Sequence, residues 1–169
     1  MIVVVNDANI LIDLVKLELY AIFFDLPLVF YTTDIILEEL HFEQKEYLTP
    51  FIEKGTFKIL NLSPDDLIEI NELQKEKPQL SIQDFSAVVC SKKVNGAIIT
   101  SDNNLRKFAI TKNILVLGYL WVFDQMVESG KSNPKIAIHK LVELNTKINI
   151  RLNLPPVECD IRIKRWQED

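Results

Sequence analysis

Ile2-Val3-Val4-Val5-Asn6-Asp7-Ala8-Asn9-Ile10-Leu11-Ile12 opens with an apolar, mostly β-branched run that ends at a carboxylate. A run without polar alternation predicts a strand buried on both faces, as in the middle of a parallel sheet. The apolar-rich stretch 10–24 follows at once and predicts a helix that ends before Pro27. Asp7 therefore stands at a strand-to-helix junction, and open α/β sheets place ligands beyond the carboxyl ends of their strands. A helix cap explains the same aspartate equally well.

Downstream the alternation continues. Strands are expected at 28–31, 57–62, 97–100 and 114–117. Helices are expected at 34–47, from Ser63-Pro64-Asp65-Asp66 onward, at 80–90, from Asn103, at 120–127 and at 134–144. Lys92-Lys93-Val94-Asn95-Gly96 reads as a turn by composition. Ala97-Ile98-Ile99-Thr100 runs into Ser101-Asp102 and a new helix, which repeats the geometry of Asp7. In the tail, Ile148, Ile150, Leu152 and Leu154 alternate with Lys147, Asn149, Arg151 and Asn153, a period of two that predicts an extended edge segment. Pro155-Pro156 is expected to break it, leaving a short charged end. Strands and helices joined by short connections imply a three-layer α/β/α domain with a mostly parallel central sheet. Residues 1–130 are expected to form the core, with a C-terminal helix, the edge segment and the charged tail of 131–169 packed on the same domain.

A chain of 169 residues with 48% apolar and 25% charged residues is expected to form one globular domain. Its two cysteines, Cys90 and Cys159, make no disulfide framework and match no zinc spacing. Met1 leads directly into the first strand without a basic leader region, and Asp13, Glu18, Asp25 or Pro27 interrupts each early apolar stretch. A cytoplasmic protein without a membrane span is therefore expected. The net charge of -5 argues against generic electrostatic adhesion to nucleic acid. It leaves room for a nuclease, whose clustered active-site acids themselves add negative charge.

Four acids carry the candidate chemistry. Asp7 and Asp102 close apolar strands. Asp84 opens a helix three residues after Ser81, where a capping box also accounts for it. Glu39 is expected on the apolar face of its helix, one turn from Ile35, Ile36 and Phe42, whereas Glu38 sits toward the polar flank. Asp65 and Asp66 are explained by helix initiation and receive no chemistry. Converging carboxylates repel and are costly to desolvate unless a cation lies among them. An all-oxygen set selects Mg²⁺ or Mn²⁺, and such an ion can activate water for attack on a phosphodiester.

The order Val5-Asn6-Asp7-Ala8-Asn9, Ile36-Leu37-Glu38-Glu39-Leu40, Leu80-Ser81-Ile82-Gln83-Asp84 and Ile98-Ile99-Thr100-Ser101-Asp102-Asn103-Asn104-Leu105-Arg106 resembles the PIN-domain ribonucleases. Within them it is most similar to VapC-like toxins of toxin–antitoxin systems. Leu117-Gly118-Tyr119-Leu120-Trp121-Val122 also resembles the segment after the last core strand in one branch of that family. The resemblance covers residues 2–130 and implies a Mg²⁺- or Mn²⁺-dependent endoribonuclease. Asp7, Glu39, Asp84 and Asp102 would hold the metal and carry catalysis, supported by Asn9 and by Thr100 or Ser101. Ala8 departs from the hydroxyl residue often found after the first aspartate. The implied partners are an RNA substrate, a second copy of the chain in a homodimer, and a small antitoxin protein. A helix of that antitoxin laid in an apolar groove, with a basic side chain reaching the acids, would be one way to inhibit.

A different class remains open, a non-catalytic PIN-like module that binds protein. A phospho-accepting receiver needs paired acids after the first strand and a lysine at the end of the last, whereas this chain has Asp7 alone and Leu117-Gly118. No glycine-rich phosphate loop is present, which removes ordinary nucleotide hydrolysis. His41 and His139 read as surface or structural residues. Arg106 and Lys107, and also Lys92, Lys93 and Lys112, could meet RNA phosphates, although solvated surface explains them too. Trp121, with Tyr119 and Phe123, reads as core or dimer interface rather than as a base-stacking platform.

Overall fold

β1 (Ile2–Asn6) occupies the centre of a five-stranded sheet. β2 (Leu28–Thr33) and β3 (Phe57–Leu60) lie on one side, β4 (Ala97–Ile99) and β5 (Val116–Leu117) on the other, and every pairing is parallel. This computed structural model describes residues 2–168. Val4 and Val5 are both fully buried. Successive strand residues face opposite sides, so the sheet is covered on both.

Among the described residues ten α-helices complete the layers. α1 (Ala8–Lys16), α2 (Tyr20–Phe24) and α4 (Phe42–Glu53) pack together, and Phe24 lies against Phe30 of β2, Phe51 of α4 and Phe57 of β3. α5 (Pro64–Glu76) packs on α6 (Ile82–Val94), which lies across β1, β2 and β4. α7 (Asn103–Thr111) returns to β5, and its Phe108 meets Phe85 of α6 edge-on. Right-handed crossovers send the chain to one face as it steps outward through β2 to β3 and to the other as it returns to β4 and β5.

Two expected helices are each split. Within 10–24 the chain turns at Glu18, whose φ of 58° is left-handed, and the turn buries both Leu17 and Leu19. Within 34–47, α3 (Asp34–Glu38) stops and α4 begins afresh, with the His41 N–H donating to Gln44 Oε1 at 2.9 Å. Phe42 is 75% exposed and starts the second helix. It does not continue an apolar face with Ile35 and Ile36, so that argument for Glu39 fails. α6 runs through the Lys92–Val94 stretch expected as a turn and ends at Asn95, in the left-handed conformation that asparagine tolerates.

The tail differs most. The expected edge strand is absent from the described sheet. α8 (Tyr119–Glu128) and α9 (Pro134–Glu143) lead into a π-helical turn at Leu144–Ile148, then an irregular segment, then α10 (Pro156–Glu168). Alternation here lays Ile148, Leu152 and Leu154 against the core from a loop. Pro156, expected as a breaker, fits the first position of α10, where no backbone N–H is needed. α10 is fixed by Trp166, buried near Phe123, and by Arg162 Nε, which donates to Asp124 Oδ2 at 2.8 Å. No helix among the described residues is long and apolar enough to cross a membrane.

Candidate active site

The register of β1 against β4 pairs Asn6 with Ile99, so the next residues, Asp7 and Thr100, emerge side by side at the carboxyl edge. Asp7 N–H donates to Ile99 O at 3.2 Å, and Thr100 Oγ1 donates to Asp7 Oδ2 at 2.8 Å. Thr100 Oγ1 also accepts from Asp102 N–H at 3.0 Å, so one hydroxyl aligns both strand-end acids. Asp102 caps α7 through Oδ1, which accepts from Asn104 and Leu105 N–H at 2.7 and 2.8 Å.

α6 brings Asp84 to the same edge. Its Oδ2 accepts from Ser81 N–H and Oγ at 2.8 Å, the capping box expected from the sequence. Glu39 is the C-terminal cap of α3, and α3 packs on α6. That packing is pinned by a buried hydroxyl pair: Thr33 Oγ1 lies 2.7 Å from Ser86 Oγ and accepts from Ile36 N–H at 3.1 Å. Thr32 Oγ1 donates to Asn6 O at 3.1 Å. Asn6, Thr32, Thr33, Ser86 and Thr100 are all fully buried, forming a polar belt under the acids.

The electrostatics show which acids sense one another. Burial pushes Asp7 up to about 6; the Thr100 hydrogen bond opposes this, while the charges of Asp84 and Glu39 add to it. Burial and then Asp102 raise Asp84, against the pull of its Ser81 bonds. Desolvation at the rim of the cleft and then Asp84 raise Glu39, although its side chain is largely exposed. Asp84 is the hub. Capping occupies Oδ2 of Asp84 and Oδ1 of Asp102, and the other oxygen of each accepts no hydrogen bond among the described residues.

Among the described residues no three His, Cys, Asp or Glu side chains close to the spacing of a single bound ion. Carboxylates without a counter-ion repel, which favours wider spacing. The donor chemistry nevertheless fits a hard divalent cation: only oxygens converge, and the raised Asp7, Glu39 and Asp84 have no basic partner.

Other candidates fall elsewhere. Asn9 is exposed, and only its backbone carbonyl is bonded, accepting from Tyr119 Oη at 3.3 Å. Ser101 lines a cavity described below. Arg106 is committed to the fold: its guanidinium donates to Val116, Thr100 and Leu117 carbonyls at 3.3, 3.1 and 3.3 Å. Gly118 accommodates it, since a Cβ there would lie 3.0 Å from Arg106 Nη2. A phosphate contact by Arg106, as expected from the sequence, would fall to its two remaining N–H groups; Lys107 is exposed. Lys93 pairs with Asp66, Lys92 with Glu69 and Lys112 with Glu76. Lys92 and Lys112 line a groove with Ile2 and Ile114, at the amino edge of the sheet. His41 and His139 are exposed.

Sequence reasoning missed a buried triad. Asp13 Oδ2 accepts from Tyr119 Oη at 2.5 Å and from Asn149 Nδ2 at 2.8 Å, tying α1, α8 and the tail together. Burial and Asp13 both raise the Tyr119 phenol. The available signal was a lone acid inside Leu11-Ile12-Asp13-Leu14-Val15, where an unpartnered carboxylate would be costly.

A parallel five-stranded sheet with acids gathered at its carboxyl edge defines a nuclease-like α/β domain. A family model described as a PIN domain matches residues 3–158, nearly the whole chain, and the chain belongs to the PIN-domain family. No curated protein matches the sequence.

Proposed function

We propose that the chain is a Mg²⁺- or Mn²⁺-dependent endoribonuclease, resembling VapC-like toxins, that acts in the cytoplasm as a homodimer and is held in check by a small antitoxin. The observation that carries the reading is the gathering of acids at one sheet edge of a PIN domain, where Asp84 and Glu39 add to the effect of burial on Asp7 and none of the three has a basic partner among the described residues. Asp7, Glu39, Asp84 and Asp102 would hold the ion, which when bound supplies Lewis-acid activation of water and charge stabilisation on the phosphodiester. Thr100 fixes the orientation of Asp7 and the position of the Asp102 backbone. Ser81 holds Asp84 by one oxygen and leaves the other without a hydrogen bond among the described residues. Glu39, at the rim, is the carboxylate open to receive a proton from the attacking water.

Thermal stability with and without millimolar Mn²⁺, measured for the wild type and Asp7→Asn, tests the metal. Asparagine caps about as well as aspartate. A site for the ion gives Mn²⁺ stabilisation in the wild type that largely disappears in the variant. Cleavage of single-stranded RNA by the same pair then tests the chemistry. The spacing of the four acids favours one second reading, a non-catalytic PIN-like interaction module. A wild type indifferent to Mn²⁺ and inert toward RNA would establish that alternative.

A further inference from the structure

Beside Asp102 lies a cavity of about 350 Å³, walled on one side by Ser101, Asn103 and the start of α8, and on the other by Leu152–Pro155 of the tail. The aromatic residues of α8 divide around it. Tyr119 and Phe123, one turn apart, are buried in the core, whereas Trp121 lies on another flank, is only half-buried and lines the cavity. We infer that this cavity receives one unstacked nucleobase of an RNA strand, with Trp121 as its stacking face and Asn103 and Asn153 as readers of its edge. This rests on the ribonuclease reading and adds to it a determinant of base preference next to the cut.

Three observations favour a base over other occupants. The volume sits at the small end of the range for ligand pockets, ~300–1,000 Å³, which suits a single ring system rather than a folded segment. The one cation in the wall, Arg106, spends three of its five N–H donors on backbone carbonyls, which makes it a weaker anchor for a phosphate or an acidic peptide side chain than a free guanidinium. Asn103 and Asn153 form no side-chain hydrogen bond among the described residues, which leaves two lining amides, each both donor and acceptor. Single-stranded RNA is read in this way, by stacking a splayed base on an aromatic ring and hydrogen-bonding its edge. The far wall is held in place by the Asn149–Asp13 bond just before it.

The test has two arms on the full chain. In the first, Trp121 emission is followed while the four neutral nucleosides are titrated to millimolar concentration without metal, which avoids repulsion by the acids. Saturable quenching by at least one nucleoside is expected, weakened in Asn103→Ala, which keeps Trp121 as the reporter; Trp166 is buried, and Trp121→Ala gives its background. In the second, cut sites on a mixed-sequence single-stranded RNA are mapped with Mn²⁺ for the wild type, Trp121→Ala, Trp121→Phe and Asn103→Ala. Trp121→Ala should flatten the base preference and lower kcat/KM by about tenfold or more, the scale of one base–aromatic stack. Trp121→Phe should restore both, and Asn103→Ala, at an exposed position, should shift the preferred base without loss of thermal stability. Wild-type preference and kcat/KM in both Trp121→Ala and Asn103→Ala would overturn the inference and point to a peptide as the occupant. Cleavage by the wild type with no base preference also overturns the pocket but leaves the ribonuclease standing. Quenching without cleavage of any RNA supports the pocket and sinks the ribonuclease; failure of both arms sinks both.

Discussion

Ser63-Pro64-Asp65-Asp66 and Ser81-Ile82-Gln83-Asp84 build the same capping box on neighbouring helices. In each, the aspartate Oδ2 accepts from the serine N–H and Oγ at 2.8 Å. The two carboxylates then part company. Lys93, whose Nζ lies 2.8 Å from both Asp66 oxygens, holds Asp66 below the usual carboxylate range. Asp84 meets Asp102 and burial instead, and is raised. An identical local motif gives a neutralised structural ion pair in one place and an uncompensated acid in the other. The tertiary neighbour decides between them.

The largest contrast should appear in catalysis. Asp84→Asn is expected to lower Mn²⁺-dependent RNA cleavage by at least about a hundredfold, since losing a ligand should exceed the ~10–100-fold typical of losing its outer support. Asp66→Asn should stay within about twofold of wild type in the same kcat/KM measurement. Equal losses in both variants would erase the distinction between the two boxes.

Acidity supplies the next contrast, in metal-free buffer with a chelator. Asp7 is raised from 3.8 to about 6, so the unfolded chain gives up this proton first as pH rises. The folded protein therefore loses stability between about pH 4 and pH 6, by on the order of 3 kcal/mol once both states are ionised. Asp7→Asn should flatten that part of the stability–pH curve and be the more stable protein at pH 8. Asp66 runs the other way: its lowered carboxyl stabilises the fold above its unfolded value of 3.8, and that contribution is lost as pH falls through its folded value. Urea unfolding of the wild type, Asp7→Asn and Asp66→Asn across pH 3–8 separates the two slopes. A wild type whose stability is level from pH 4 to pH 7 would refute the account of Asp7.

Thr100→Val removes the hydroxyl that serves Asp7 and Asp102 together. Leaving those buried groups unsatisfied should cost about 1–3 kcal/mol in urea unfolding and raise the Asp7 carboxyl further. Ser86→Ala removes the bond to Thr33 and the one Ser86 Oγ donates to the Gln83 carbonyl, while Thr33 still serves Ile36 N–H, so about 1 kcal/mol is expected. The same ranking should hold for loss of activity, because Ser86 acts on Glu39 and Asp84 only by joining α3 to α6.

Much of this was legible from local chemistry. Ile2–Asn6 announced a strand covered on both faces, Ser81 and Asp84 announced a helix start, and Thr100 followed by Asp102 repeated the junction at Asp7. Elements failed where the deciding partner was distant in sequence. The alternation of 148–154 carries a strand's period, but Asn149 is drawn to Asp13 and the segment becomes a loop. The stretch 34–47 has helical composition throughout, but Gln44 captures the His41 N–H and starts a second helix. Trp121 packs against the core as its apolar neighbours suggested, but α8 leaves it half-buried where it also lines the cavity, which needs the tail as its other wall.

By itself the sequence determined the strand and helix alternation and the strand-end placement of Asp7 and Asp102, because these follow from apolar periodicity and capping within a few residues. Only the tertiary structure decided that Lys93 neutralises Asp66 while Asp84 has no ion pair among the described residues, that Arg106 is bonded to strand-end carbonyls, and that the tail closes a cavity beside Asp102. Charge coupling and cavity walls depend on which distant residues share a space, and spacing along the chain does not encode that directly.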